Sequence, residues 1–236
     1  GETVRRPSGP WTPLVQQFMS ALRDRGLSFV PEPRGLDSQG REVIAFVQGT
    51  VPIYPMPEWV WSDDLLVDVG TKLRELHDAT IDLSLPVVGW RRDPILPIEV
   101  ICHGDVAPFN TVCIDERVSA FIDWDYAIPA PRGWDFGYAA YRWVSLTAPG
   151  HSDGSRQDLA EQHRRLELFC SAYGDISAIE VVRWAVIRLE DLADRSRRLA
   201  LEGDPVFIAT VAAGHADLYE NDARWLRETN LGGQKL

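Results

Sequence analysis

The distribution of apolar patterns along this chain limits the fold more than anything else. Before residue 125, short apolar runs broken by Gly, Pro, Asn and Asp are interleaved with two stretches of helical spacing. From about Arg156 onward apolar residues recur at helical spacing: Leu159, Leu166, Phe169 and Tyr173; then Ile179, Val182, Val186, Leu189 and Leu192; then Val206, Ala209 and Ala213, on to Trp225. Strands gathered early and helices gathered late specify an α+β chain, not an alternating parallel sheet.

Val4-Arg5-Arg6 reads as a short strand, the tail of a β-hairpin whose earlier strand lies upstream. Thr12 is placed to cap a helix with Pro13 at its first position, and Leu14, Val15, Phe18, Met19 and Leu22 give that helix one apolar face until Gly26. A strand, REVIAFVQG, follows the Ser38-Gln39-Gly40 turn and ends at Gly49. The proline-rich stretch from Val51 to Pro57 reads as a link, so a division is expected near residue 50, with 1–50 forming a small lobe and 51–236 a large one. Leu65, Leu66, Val69, Leu73 and Leu76 define a second helix closing on His77 and Asp78. Thr111 to Ile114 and Val118 to Ile122, joined by Asp115-Glu116-Arg117, form a β-hairpin.

Charge excludes one class of partner. The net formal charge is −11, whereas a nucleic-acid binder needs a surplus of Lys and Arg on its contact face. The surplus is uneven: residues 1 to 34 carry five Arg against Glu2, Asp24 and Glu32. No stretch has the length and purity of a membrane span and the first residues do not read as a secretory signal, so a cytoplasmic protein with no membrane partner is expected. Cys102, Cys113 and Cys170 are odd in number and lack close pairing, which suggests reduced, buried thiols. His151, His163 and His215 show no metal spacing, and Trp124, Trp134, Trp143 and Trp184 read mostly as core.

The chemistry sits in ICHGDVAPFN, residues 101–110, and IDWD, residues 122–125. Asn110 stands just ahead of the hairpin and Asp123 just after it. The ends of a hairpin lie side by side, so the amide and the carboxylate can meet with Asp105 close by. That is a hard-oxygen set suited to Mg²⁺, which takes few protein ligands and keeps phosphate oxygens as others.

An Asp followed five residues later by an Asn, with a further Asp beyond a hairpin, is the division of labour used in kinases. With Gly104 after His103, with Ile122-Asp123-Trp124-Asp125, and with PRGWDFGYA at residues 131 to 139, the chain resembles the aminoglycoside phosphotransferase and choline kinase family. The resemblance implies a bilobal protein-kinase-like α+β fold and transfer of the γ-phosphate of ATP or GTP to the hydroxyl of a small molecule. The family's acceptors include aminoglycosides, macrolides, choline-like alcohols, homoserine and sugars, some of them substrates of antibiotic resistance. It further implies that Asp105 takes the acceptor proton, that Asn110 and Asp123 hold Mg²⁺, that His103 and Asp135 hold the loop, and that Phe46, Val47 and Gln48 form the hinge beside the nucleotide base.

The first lobe departs from the family. Nothing before Val4 is long enough for a phosphate-covering Gly-rich loop, so either the chain is truncated or the lobe is reduced. The place of the phosphate-contacting lysine falls at Arg5, with Arg6 the alternative, and Arg binds phosphate bidentately. The first helix offers Gln16 and Gln17 where the family has a Glu, and an acid only at Asp24. The rival expectation is a non-catalytic kinase-like binder, of the kind that sequesters a ligand or peptide toxin as an immunity protein.

Overall fold

Three antiparallel strands begin the chain: β1 (Thr3–Arg6), β2 (Pro33–Leu36) and β3 (Glu42–Ala45), in the order β1-β3-β2. The computed structural model describes residues 1–150 and 158–232. β1 meets β3 with Arg6 opposite Glu42 and Arg5 opposite Val43. β3 is shorter than REVIAFVQG suggests: the strand ends at Ala45, and Phe46 N still donates to Glu2 O at 2.9 Å. Helix α1 (Thr12–Asp24) buries Val15, Phe18, Met19 and Leu22, the face the spacing predicts. Thr12 is its first residue and not its cap; its hydroxyl accepts from Gly9 N at 2.9 Å.

Helix α2 (Asp63–Asp78) starts where Ser62 Oγ accepts from Leu65 N and buries Leu65, Leu66, Val69, Leu73 and Leu76. β5 (Thr111–Ile114) and β6 (Arg117–Phe121) form the expected hairpin. Its two turn residues, Asp115 and Glu116, have φ of 49° and 60°, the left-handed pair of a type I′ turn. Two short strands, β4 (Val100–Cys102) and β7 (Ile128–Ala130), pair antiparallel and bring the chain before His103-Gly104-Asp105 beside the chain after IDWD.

The chain divides into two compact units, Gly1–Asp135 and Phe136–Leu236, so the expected boundary near residue 50 falls inside the first. The cause is backbone pairing: Thr50 exchanges hydrogen bonds of 2.8 Å with Cys113 on β5, and Phe121 N on β6 donates to Phe29 O at 3.0 Å. Trp124 and Phe18 meet edge to face at 5.8 Å, joining IDWD to α1 in the same core.

Helix α3 (Arg132–Ala140) leads into the second unit, which holds α4 (Leu159–Tyr173), α5 (Ala178–Leu201), α6 (Pro205–Ala212) and α7 (His215–Glu228). Asp158 caps α4, Ser177 and Glu180 form a reciprocal capping box on α5, and Asp204 caps α6. Phe136 stacks on Phe169 with ring centroids 4.5 Å apart. Tyr141 donates to the fully buried Asp222 at 2.8 Å, and Ala148 N donates to its other oxygen at 2.9 Å. Arg156, from which the helical spacing was read, and His151 lie outside the described residues.

All three cysteines are buried thiols outside any disulfide. Burial pushes the thiols of Cys113 and Cys170 up to about 12, as inert core thiols require. No helix among the described residues is long and apolar enough to cross a membrane.

Candidate active site

The loop at residues 103–105 is held from behind by Asp135. This side chain is fully buried, and its two oxygens accept from His103 N at 2.7 Å and Gly104 N at 2.8 Å. His77 Nε2, at the end of α2, lies 3.3 Å from the same carboxylate. Burial opposes the negative charge, but the His77 hydrogen bond, the nearby imidazoles and the Gly104 N–H outweigh it and keep Asp135 below the ordinary carboxylate range. Gly104 has φ +85°, and a Cβ there would sit 2.0 Å from Tyr126 O. Only glycine fits between the loop and the IDWD turn.

His103 ties the loop to the hairpin. Its Nε2 donates to Ile122 O at 3.1 Å and its Nδ1 accepts from Asp105 N at 3.2 Å, which assigns the neutral tautomer with the proton on Nε2. Burial lowers its pKa, against the pull of Asp135, Asp105 and Asp123.

Asn110 then sets the front of the site. Its Nδ2 donates to Asp105 Oδ2 at 2.8 Å and to Asp105 O at 3.0 Å, and its own carbonyl accepts from Ile122 N at 2.9 Å. Asp123 follows immediately with left-handed φ 62° and ψ 62°, a conformation that costs energy for a residue with a Cβ and turns the chain sharply out of β6. The hairpin mouth thus pairs Asn110 with Asp105 and places Asp123 one residue past Ile122, whose N–H donates to the Asn110 backbone oxygen.

Arg6 completes the group. It donates through Nη1 to Asp123 at 2.5 Å and through Nη2 to Asp125 at 2.8 Å, and its Nε is bonded to Glu42. Burial works against its charge, but Asp125, Glu42 and Asp123 outweigh it and raise its pKa above the ordinary guanidinium value. Arg5 is turned the other way, because successive side chains on a strand face opposite sides. It donates to Thr3 at 3.0 Å and lies 3.5 Å from Asp37. The basic residue at the site is therefore Arg6 and not Arg5.

A cavity of about 230 Å³ opens beside this group. Val4, Ile44, Val51 and Val112 give it apolar walls, Phe46 and Val47 also line it, and Arg6 and Asp123 are its charged lining residues. Gln48 is exposed and stands outside the lining.

Two contributors were not read from the sequence. Glu42 stands second in REVIAFVQG, and an acid beside such an apolar run is itself a signal. Arg91 lies 3.6 Å from Asp125 and stacks between Trp11 and Tyr126 at 4.6 and 4.4 Å; no local pattern marks it.

The donor set fits magnesium. It consists of oxygen atoms, and because Nδ2 of Asn110 is engaged by Asp105, its Oδ1 is the ligand atom left to a cation. Asp105, Asp123 and Asp125 are not crowded into one tight cluster. Among the described residues only His77, Cys102 and Asp135 converge to that degree, and these bind one another and the backbone as a brace.

The site thus holds a loop presenting an acid and an amide, a second acid beyond a hairpin, and an arginine bonded to Asp123 and Asp125 beside an apolar cavity. Residues 90–169 match the model of the Phosphotransferase enzyme family, in agreement with the resemblance carried by the motifs. The fold matches a putative aminoglycoside phosphotransferase from Ralstonia eutropha with a TM-score of 0.67 and 14% identity, covering 96% of this chain and 86% of that one. It also matches a choline/ethanolamine kinase family protein from Mesorhizobium loti with a TM-score of 0.63 and 18% identity, covering 97% and 83%. The fold is thus the kinase-like α+β fold that the motifs imply. A curated relative, the trifolitoxin immunity protein of Rhizobium leguminosarum bv. trifolii, is 34% identical over 148 residues, 60% of this chain; the match spans 55% of that protein, a little over half its length.

Proposed function

We propose that this protein transfers the γ-phosphate of ATP or GTP to a hydroxyl of a small, non-protein acceptor. The observation that carries this reading is the hydrogen-bonded pair of Asp105 and Asn110 at the mouth of the β5–β6 hairpin, next to Arg6 and Asp123 at the charged end of an apolar cavity.

In this reading the base lies against Val4, Ile44, Phe46 and Val47, and the phosphates run toward Arg6. Its two Nη groups, already bonded to carboxylate oxygens, suit phosphate oxygens equally well. Asn110 and Asp123 hold Mg²⁺, which when bound neutralises charge on the phosphates. Asp105 orients the acceptor hydroxyl and accepts its proton as the oxygen attacks. Asn110 steadies that carboxylate through its Nδ2, and the Asp135 brace fixes the loop beneath it. No covalent enzyme intermediate is needed, because positioning and electrostatics do most of the catalysis in a loose phosphoryl-transfer transition state.

One observation favours a second reading, a non-catalytic binder that sequesters a ligand or peptide toxin: the curated relative is an immunity protein. Thermal-shift titration separates the two. A phosphotransferase is stabilised by Mg-ATP or Mg-GTP only when the metal is present, by about 2.7 kcal/mol at a hundredfold excess over Kd. No shift at millimolar nucleotide would favour the binder. Nucleotide consumption across a panel of cationic and neutral alcohols then finds the acceptor.

A further inference from the structure

We infer that Glu42 is the positioning residue for Arg6, holding its guanidinium from the neighbouring strand so that both Nη groups face the nucleotide phosphates. The inference rests on the nucleotide reading above and deepens it.

Glu42 is a carboxylate with 0% exposure on a short strand, where an apolar residue would serve the sheet equally well. A buried charge is costly unless it is paired and hydrogen-bonded, so its partners explain its presence. One oxygen bonds Arg6 Nε and the other accepts from Gln16 Nε2 at 2.6 Å. Gln16 is fixed in turn, since its Oε1 accepts from Gly35 N at 2.9 Å on β2. The chain Gly35, Gln16, Glu42, Arg6 therefore runs from β2 through α1 and β3 to β1.

The geometry of the guanidinium gives this chain its purpose. The group is planar, so fixing Nε sets the plane and leaves Nη1 and Nη2 as the groups presented to a ligand. In the structure they meet Asp123 and Asp125 at the charged end of the cavity. Arg6 and Glu42 are direct partners in the β1–β3 register, so the pairing is built into the sheet. A helix acid is unnecessary under this arrangement. The middle of α1 supplies a neutral amide, Gln16, which anchors the acid instead of replacing it.

The test is calorimetric binding of ATP and of adenosine, with magnesium present throughout, to the full chain and to three variants: Glu42→Gln, Arg6→Gln and the double variant. Glu42→Gln is expected to weaken ATP by about tenfold, the scale of a lost charge-assisted bond, and to leave adenosine unchanged. On the Arg6→Gln background it should add nothing, because Glu42 acts through Arg6. Should Glu42→Gln fail to fold, Gln16→Met loosens the same carboxylate and is expected to weaken ATP about threefold while sparing adenosine.

Undiminished ATP binding by Glu42→Gln, beside a loss in Arg6→Gln, overturns the inference and leaves the nucleotide reading intact. Equal losses for ATP and adenosine overturn it too, since they would mark a purely structural role. If the unmodified chain binds neither ligand, the nucleotide reading fails and this inference falls with it.

Discussion

Asp105→Asn is expected to lower the turnover number about 10²- to 10⁴-fold, the usual contribution of a positioned general base. The substitution is nearly isosteric. The new carboxamide keeps an oxygen able to accept from Asn110 Nδ2, so the bond now 2.8 Å long can persist and the loop needs no rearrangement. The variant loses the basicity that draws the proton from the acceptor hydroxyl. Arg6, Asn110, Asp123 and the apolar cavity are untouched, so nucleotide affinity should stay within about threefold of the parent, as expected when a group acts only in the transition state. Steady-state kinetics with calorimetric nucleotide binding reads both quantities. Turnover within tenfold of the parent would remove Asp105 from its role. Loss of nucleotide binding along with turnover would make it a ligand of the metal or phosphates instead.

Asp135→Ala should be among the most destabilising single substitutions in the first unit, by about 3–5 kcal/mol, because it removes a buried charge with several partners. The N–H groups of His103 and Gly104, which now donate at 2.7 and 2.8 Å, would be left facing an apolar methyl, and His77 would lose its carboxylate. Asp135→Asn should recover little, since its amide offers one acceptor where two N–H donors converge. Urea or thermal unfolding of the full chain measures the loss; a change under about 1 kcal/mol would show that the loop is held by other contacts.

His103 and Asp135 give an acid-sensitive profile. His103 has its pKa lowered from 6.5, so the stability it contributes is complete above that value and declines as the pH falls below it, where the unfolded chain takes up the proton first. Asp135 is lowered from 3.8, so its stabilisation is present above that value and is lost as the pH falls through the folded pKa. Acid unfolding should therefore start in the range of His103 and steepen in that of Asp135.

Legibility in the sequence followed the range of the interaction. Helices α1 and α2 were read correctly because one apolar face recurs within the helix itself, and the β5–β6 hairpin because its turn is local. β2 was missed because Pro33 and Gly35 disguise it as a loop, although it bonds β3 as an edge strand. β4 and β7 were missed because each is only three residues long and they pair across the whole hairpin. The helical spacing read from Val206 is met by α6, whose Val206 and Ile208 are 67% and 48% exposed.

The site divides the same way. Asn110 and the residue before Asp123 could be placed side by side because a hairpin fixes the meeting of its own ends. The choice between Arg5 and Arg6 depends on which face of β1 turns toward the cavity. That is settled by register with a strand 36 residues away, and Glu42 was hidden by the same pairing.

The central claim is that Asn110, Asp123 and Arg6 serve one metal-nucleotide pocket. It is tested most directly by anomalous diffraction from crystals grown with Mn²⁺ and a non-hydrolysable ATP analogue. The account predicts a manganese peak between Asn110 Oδ1 and the Asp123 carboxylate, with a phosphate on Arg6 and the base between Ile44 and Val47. Manganese elsewhere, or a nucleotide lying outside this cavity with Arg6 still closed on both aspartates, would contradict it.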